Sequence, residues 1–93
     1  MLRIEVLGPG YPKCSRTYDQ VKQILDELNI EVELAKVTDV FEIINRGVNF
    51  TPALIVDGEV VLQGKVPTTE EIKSILETHI SKGNGSESNT TEK

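Results

Sequence analysis

The chain has 93 residues, of which 38% are hydrophobic and 27% charged, and this predicts one small globular domain. Its single cysteine excludes an internal disulfide, and with it the class of secreted proteins that disulfides hold together. The formal net charge of −5 disfavours nucleic acid and anionic membranes as partners, and no apolar run approaches the ~20 residues that span a bilayer, so we expect a cytoplasmic protein.

The first part of the chain predicts a strand, a helix and a second strand. Apolar residues at every second position from residue 2 to residue 6 are typical of a strand with one face on the core. A glycine-bounded loop follows, and apolar residues then recur at helical spacing from Tyr18 to Leu28. Residues 32–34 alternate again. Because a helix connects the two strands, we expect them to be parallel, with a right-handed crossover.

A short helix is predicted after the second strand. Asp39 and Glu42 have the spacing of a capping box at its start, and Gly47 suits the left-handed position at its end. A short apolar stripe runs between these signals, and its members are Val40, Ile43 and Ile44. Such a stripe is typical of a helix that packs against a core.

A β-hairpin and a closing helix are predicted next. Asp57-Gly58 separates two apolar runs, at residues 53–56 and 59–62, and this dipeptide suits a type I′ hairpin turn. Thr68 and Glu71 form a second capping box, after which apolar residues line one helix face. The order βαβαββα therefore predicts an α/β fold with a four-stranded mixed sheet, spatial order 2-1-3-4, and helices on both faces.

The last residues have a different composition. Residues 82–93 contain no apolar side chain, so this segment cannot bury surface to offset its ordering entropy. We expect a folded domain over residues 1–81 and a disordered tail over residues 82–93.

The order of elements, together with two motifs, resembles the thioredoxin-like fold in the small form found in glutaredoxins and in the archaeal and bacterial redox-active disulfide proteins. Gly8-Pro9-Gly10 and Cys14 resemble the loop and second cysteine at the start of the family's first helix. Thr51-Pro52 resembles the cis-proline that precedes its third strand. The resemblance covers roughly residues 1–80 and implies a thiol–disulfide oxidoreductase of cell redox homeostasis.

The resemblance also implies where a site would lie and what is missing from it. Cys14 matches the resolving cysteine of the family's Cys-x-x-Cys motif, whereas the attacking cysteine is replaced by Tyr11. A dithiol cycle is therefore excluded, and the chain would act, if at all, as a monothiol on protein or low-molecular-weight thiols and disulfides. The substrate-binding residues implied are Pro12, Lys13, Thr51 and Pro52.

Two interpretations of the site stay open. Cys14 is either a reactive monothiol or a small buried apolar side chain, and in the second case the domain is a catalytically degenerate binding module that uses the groove beside Pro52. Tyr11 is either a docking aromatic or a surface residue that shields the loop. A further interpretation is that tyrosine replaces a cysteine by design in a parent dithiol enzyme.

No cofactor and no metal is predicted. His79 has no Cys, Asp or Glu partner at ligand spacing. Gly8-x-Gly10 lacks the third glycine of a dinucleotide fingerprint, and Pro9 and Pro12 remove two N–H donors that phosphate binding would use. We expect a monomer, and a disulfide between two copies of Cys14 is the covalent dimer that oxidation would form.

Overall fold

The computed structural model describes residues 2–85, and its elements follow the predicted order. In chain order they are β1 (Leu2–Leu7), α1 (Pro12–Leu28), β2 (Val32–Val37), α2 (Val40–Asn45), β3 (Ala53–Val56), β4 (Glu59–Gln63) and α3 (Thr69–Gly85). Helix α3 therefore extends past residue 81, where we placed the end of the domain. Residues 86–93 lie outside the described residues, so the disordered tail stays a prediction. In the described part of the chain, no helix is both long and apolar enough to cross a bilayer.

The strands form one four-stranded mixed sheet in the order β2-β1-β3-β4, which confirms the predicted fold. Strand β1 is parallel to β2 and antiparallel to β3, and β3 and β4 form an antiparallel hairpin. Asp57 and Gly58 both have positive φ angles, 49° and 85°, as the predicted type I′ turn requires. The Asp57 carboxylate accepts a hydrogen bond from the N–H of Arg3 at 2.8 Å, which ties the hairpin turn to β1.

Helices cover both faces of the sheet, and each face has its own apolar cluster. Helices α1 and α3 pack on one face, where the buried residues are Ile4, Val6, Val21, Ile24, Leu25, Leu54, Val56, Ile72 and Leu76. Helix α2 packs on the other, where they are Leu7, Ile43, Val48, Ala53 and Ile55. Because successive side chains of a strand point to opposite faces, β1 contributes to both clusters.

The packing of α2 differs from its prediction. Of the apolar stripe, only Ile43 is buried, while Val40 and Ile44 are 52% and 61% exposed. The helix has only six residues, less than two turns, and Ile43 is the one residue of the helix that is buried against the sheet. The predicted stop at Gly47 is confirmed by its φ of 78°, in the left-handed region that favours glycine.

The two predicted capping boxes also have different outcomes. At α3, the Thr68 hydroxyl accepts from the N–H of Glu71 at 3.1 Å, and the Glu71 carboxylate accepts from the N–H of Thr68 at 2.9 Å, which confirms the box. At α2, the Asp39 carboxylate accepts from the N–H two residues on. The Glu42 carboxylate, however, accepts from Arg46 at 3.3 Å instead of returning to the cap. Only half of that box forms, because a guanidinium competes for the carboxylate.

A charged residue lies buried under α2. The alternation along β1 predicts one face on the core, but both faces are covered, and Glu5 is only 4% exposed. Its carboxylate accepts from Arg46 Nη1 at 2.6 Å and from Arg3 Nη2 at 3.4 Å. The Arg46 hydrogen bond outweighs the opposing effect of burial and, with the charges of both arginines, lowers the pKa of the Glu5 carboxyl. Since Arg46 is the C-cap residue of α2, this pair fixes the end of the helix to β1.

Arg46→Ala is expected to lower the free energy of unfolding by about 2 kcal/mol at neutral pH, because the buried Glu5 carboxylate keeps only its longer contact with Arg3. The lowered pKa of Glu5 means that the pair stabilises the fold above the unfolded pKa of about 4.3, and that this contribution is lost as pH falls through the folded value. Urea unfolding should therefore show the difference between parent and variant shrinking below pH ~4.

The matched control for this prediction is Lys22→Ala. It removes an exposed ion pair with Asp26, whose charged atoms are 3.9 Å apart, and should change stability by less than about 0.5 kcal/mol at any pH. Equal losses for the two alanine variants, or a pH-independent loss for Arg46→Ala, would contradict a structural role for the buried carboxylate.

Candidate functional site

Cys14 lies in the first turn of α1, directly after the loop that leaves β1. Tyr11 is the N-cap residue, with extended backbone at φ −66° and ψ 156°, and its carbonyl accepts from the N–H of Cys14 at 2.8 Å and of Ser15 at 3.2 Å. Pro12 occupies the first helical position, where its missing N–H leaves no hydrogen bond unmade. The sequence thus starts the helix at a point that places Cys14 one turn from Tyr11.

The sulfur of Cys14 is packed against the backbone of the loop. Cys14 is 6% exposed, and a Cβ added at Gly8 would overlap its Sγ and lie 2.8 Å from its Cβ. The φ angle of Gly8 is not positive, so glycine is needed here for space and not for backbone conformation. The sulfur occupies the volume that any other residue at position 8 would fill.

The Thr51-Pro52 segment also lies beside Gly8 and the Cys14 sulfur. Its peptide bond is cis, Pro52 is buried, and β3 begins at the next residue, Ala53, which pairs with the end of β1. A Cβ built on Gly8 would lie 3.8 Å from Thr51 Cβ. The structure therefore brings Cys14, Gly8 and Thr51 together at the point where β1 ends and β3 begins.

The remaining candidates lie on the surface around this contact. Tyr11 is 64% exposed, and Pro12 and Lys13 are also exposed in the first turn of α1. Phe50 is 67% exposed and directly precedes Thr51. Phe50 is not among the site residues predicted from the sequence, although an aromatic residue beside an X-Pro pair is a detectable signal in a chain that is only 4% aromatic.

A narrow cleft reaches Cys14 from the side of β2. Its lining residues are Val6, Gly8, Gly10, Cys14, Ser15, Lys36 and Thr38. The Lys36 ammonium is held 4.6 Å from the centre of the Tyr18 ring, a cation–π contact that keeps a positive charge at this edge of the sheet. The cleft is too small for more than a solvent-sized group, so a larger reactant would have to approach Cys14 across the exposed surface at Tyr11 and Thr51.

The site carries no cluster of metal-binding side chains. Within residues 2–85, no three His, Cys, Asp or Glu side chains are placed to hold one metal ion. His79 of α3 lies 4.0 Å from the Glu59 carboxylate of β4.

Comparisons with known proteins agree with one another. The profile of a family described as "Thioredoxin domain" matches residues 2–77. A thioredoxin of Methanocaldococcus jannaschii is 44% identical over 80 residues, covering 86% of this chain and 92% of that protein. A thioredoxin of Methanothermobacter thermautotrophicus is 34% identical over 76 residues, covering 82% and 99%. The solution structure of oxidised thioredoxin from Plasmodium falciparum has a TM-score of 0.59 at 17% identity, covering 84% of this chain and 80% of that one, and shows likeness of fold alone.

Gly8→Ala is expected to destabilise the domain by about 1–3 kcal/mol, because the added methyl group overlaps the Cys14 sulfur. The displaced thiol should also react faster with a maleimide under native conditions. Combining Gly8→Ala with Cys14→Ala should recover part of the loss, since the sulfur is gone while the Cβ contact at 2.8 Å remains. Urea unfolding and labelling rates measure both effects, and strictly additive losses in the double variant would show that the two residues do not touch.

Proposed function

The chain belongs to the thioredoxin domain family, and from this membership and the geometry of the site we propose that it performs thiol–disulfide exchange through the single thiol of Cys14. The relatives support a thioredoxin-like redox function; the single-thiol mode is our proposal. The observation that carries it is the position of Cys14, in the first turn of α1 and beside Thr51-Pro52.

The exchange is a balanced two-step reaction. The Cys14 thiolate attacks one sulfur of a disulfide and forms a mixed disulfide, while the other sulfur leaves as a thiolate. A low-molecular-weight thiol from outside the chain then attacks the mixed disulfide, takes over the bound sulfur and releases Cys14 as a thiolate. Each turnover consumes one external thiolate and releases one, so the chain itself needs no second cysteine.

We assign Tyr11 to the position of the missing attacking cysteine. It is the exposed N-cap residue of α1, where a thiol would meet both solvent and the free N–H groups of the helix start. Pro12 and Lys13 of the exposed first turn, together with Thr51 and Pro52, form the substrate-binding edge in this proposal. An extended chain would pair with backbone groups of Thr51 by strand addition.

The burial of Cys14 favours a second function, that of a binding module. Only 6% of the residue is exposed, and the Gly8 backbone lies against the sulfur. A thiolate can attack a disulfide only if the disulfide reaches its sulfur atom. The packing of Gly8 against the Cys14 sulfur therefore slows the formation of the mixed disulfide. A domain in this state binds extended polypeptides beside Pro52 without turning them over.

Tyr11→Cys is expected to give the chain an internal disulfide and a reductase activity. The two cysteines would be one helical turn apart, which is compatible with the Cα separation of ~4.4–6.8 Å that a disulfide requires. Mass spectrometry after mild oxidation should show the loss of two hydrogens, and the reduced variant should reduce insulin with dithiothreitol as electron donor. Combining it with Cys14→Ser should abolish the internal disulfide, and a folded Tyr11→Cys variant with neither property would refute our assignment of position 11.

The parent chain separates the two functions. With glutathione disulfide it should form a mixed disulfide slowly, and Cys14→Ser should form none. If the parent forms no mixed disulfide under native conditions but still binds a reduced, carboxymethylated polypeptide in a calorimetric titration, exchange through Cys14 is wrong and the binding module is correct.

A further inference from the structure

The segment before Pro52 is held by a side chain of the neighbouring strand. Gln63, the last residue of β4, accepts at its Oε1 hydrogen bonds from the N–H of Asn49 at 3.1 Å and of Phe50 at 3.3 Å. These two donors lie between the end of α2 and the start of β3, outside both the helical and the ladder hydrogen bonds. One carboxamide oxygen therefore satisfies two successive backbone groups that secondary structure leaves open.

The residue after Gln63 completes this contact. The N–H of Gly64 donates to the Pro52 carbonyl at 2.9 Å, and its φ of 89° lies in the region that favours glycine. A Cβ at Gly64 would lie 3.3 Å from the Cβ of Phe50, so the two residues are in close contact. The corner formed by Gln63 and Gly64 thus fixes the backbone on both sides of Thr51.

The side chain that this corner presents is that of Phe50. Its ring is 67% exposed although its backbone is hydrogen-bonded and its Cβ is packed against Gly64. An aromatic ring offers a partner a large apolar area, and one whose base is already held loses little freedom on binding. The next residue, Thr51, lies beside Gly8 and Cys14 in space.

We propose that Gln63 is a positioning residue and Phe50 a specificity-determining residue for polypeptide disulfides. Gln63 holds the backbone at Asn49 and Phe50, and the Phe50 ring then contacts an apolar side chain of a substrate that pairs with Thr51. An extended polypeptide at Thr51 has to pass Phe50, whereas a small disulfide has no such contact. This inference rests on the proposed function and adds to it the two residues, Phe50 and Gln63, through which this chain would discriminate among its substrates.

The kinetic test uses the Tyr11→Cys background and two disulfides, insulin and a small aromatic disulfide such as dithiobis-nitrobenzoate. Phe50→Ala should raise KM for insulin about tenfold, a loss typical of a contact residue, with a much smaller effect on the small disulfide. Phe41→Ala, which removes another phenylalanine that is 78% exposed but lies on α2, is the matched control. An equal rise in KM for insulin in the two phenylalanine variants would overturn the proposal, because the effect would then not depend on the position of the ring.

Gln63→Ala should raise KM for insulin about three- to tenfold, because two backbone hydrogen bonds are lost at the contact. Gln63→Glu should restore the parent value, since a carboxylate oxygen accepts the same two bonds. The control is Gln23→Ala, which removes an exposed glutamine of α1 that contacts Glu27. If Gln63→Ala slows both disulfides alike, or Gln63→Glu fails to restore binding, the positioning role is wrong.

Amide hydrogen exchange in the parent chain tests the same contact without any redox chemistry. Gln63→Ala should speed exchange at Asn49 and Phe50 about fivefold relative to other amides, and Gln63→Glu should not. Unchanged exchange overturns the proposal, whatever the kinetics. If the Tyr11→Cys background reduces neither disulfide, the assignment of position 11 fails, and the affinity of the parent chain for a reduced, carboxymethylated polypeptide replaces KM in both comparisons of variants. The proposed function fails separately, if the parent chain forms no mixed disulfide through Cys14.

Discussion

Strand β1 is the element on which the rest of this structure depends, because it is paired on both edges and covered on both faces. It has β2 on one side and β3 on the other, and every residue from Ile4 to Gly8 is buried. A charge on such a strand needs a partner inside the fold, which Arg46 supplies to Glu5. The strand also ends under the start of α1, so Gly8 has to leave room for Cys14. The ion pair and the thiol contact are both consequences of the burial of β1.

The sequence predicts features that depend on neighbours within a few positions. The turn at Asp57-Gly58, the capping box at Thr68 and the stop at Gly47 follow from backbone preferences and short-range hydrogen bonds, and the structure contains all three. The strand order also follows, since a helical crossover and a hairpin leave few ways to join four strands.

The features that escaped prediction depend on how individual side chains pack, in two cases against residues far away in the sequence. Glu5 looks like the polar side of a half-exposed strand until Arg46 is placed against it, 41 positions later. Gln63 looks like an ordinary strand end, and only the structure shows its oxygen at the backbone of Phe50. For the site, the motif predicted which segments meet, but the cover that Gly8 gives to Cys14 depends on a packing contact within the loop that carries no sequence signature. The sequence pattern predicts the scaffold, whereas the packing of individual residues decides how accessible its thiol is.

The pairing of β1 with the hairpin also has a consequence for how the domain is assembled. Ile4 near the start of the chain pairs with Val56 of the hairpin, and the Asp57 turn is hydrogen-bonded to Arg3, 54 positions away. A growing chain that has completed only β1, α1 and β2 therefore exposes the edge of β1 that β3 later pairs with, together with the apolar face that α2 later covers. Such long-range pairing raises the contact order, which slows folding. We therefore expect the domain to gain most of its stability only after the hairpin has paired with the first strand.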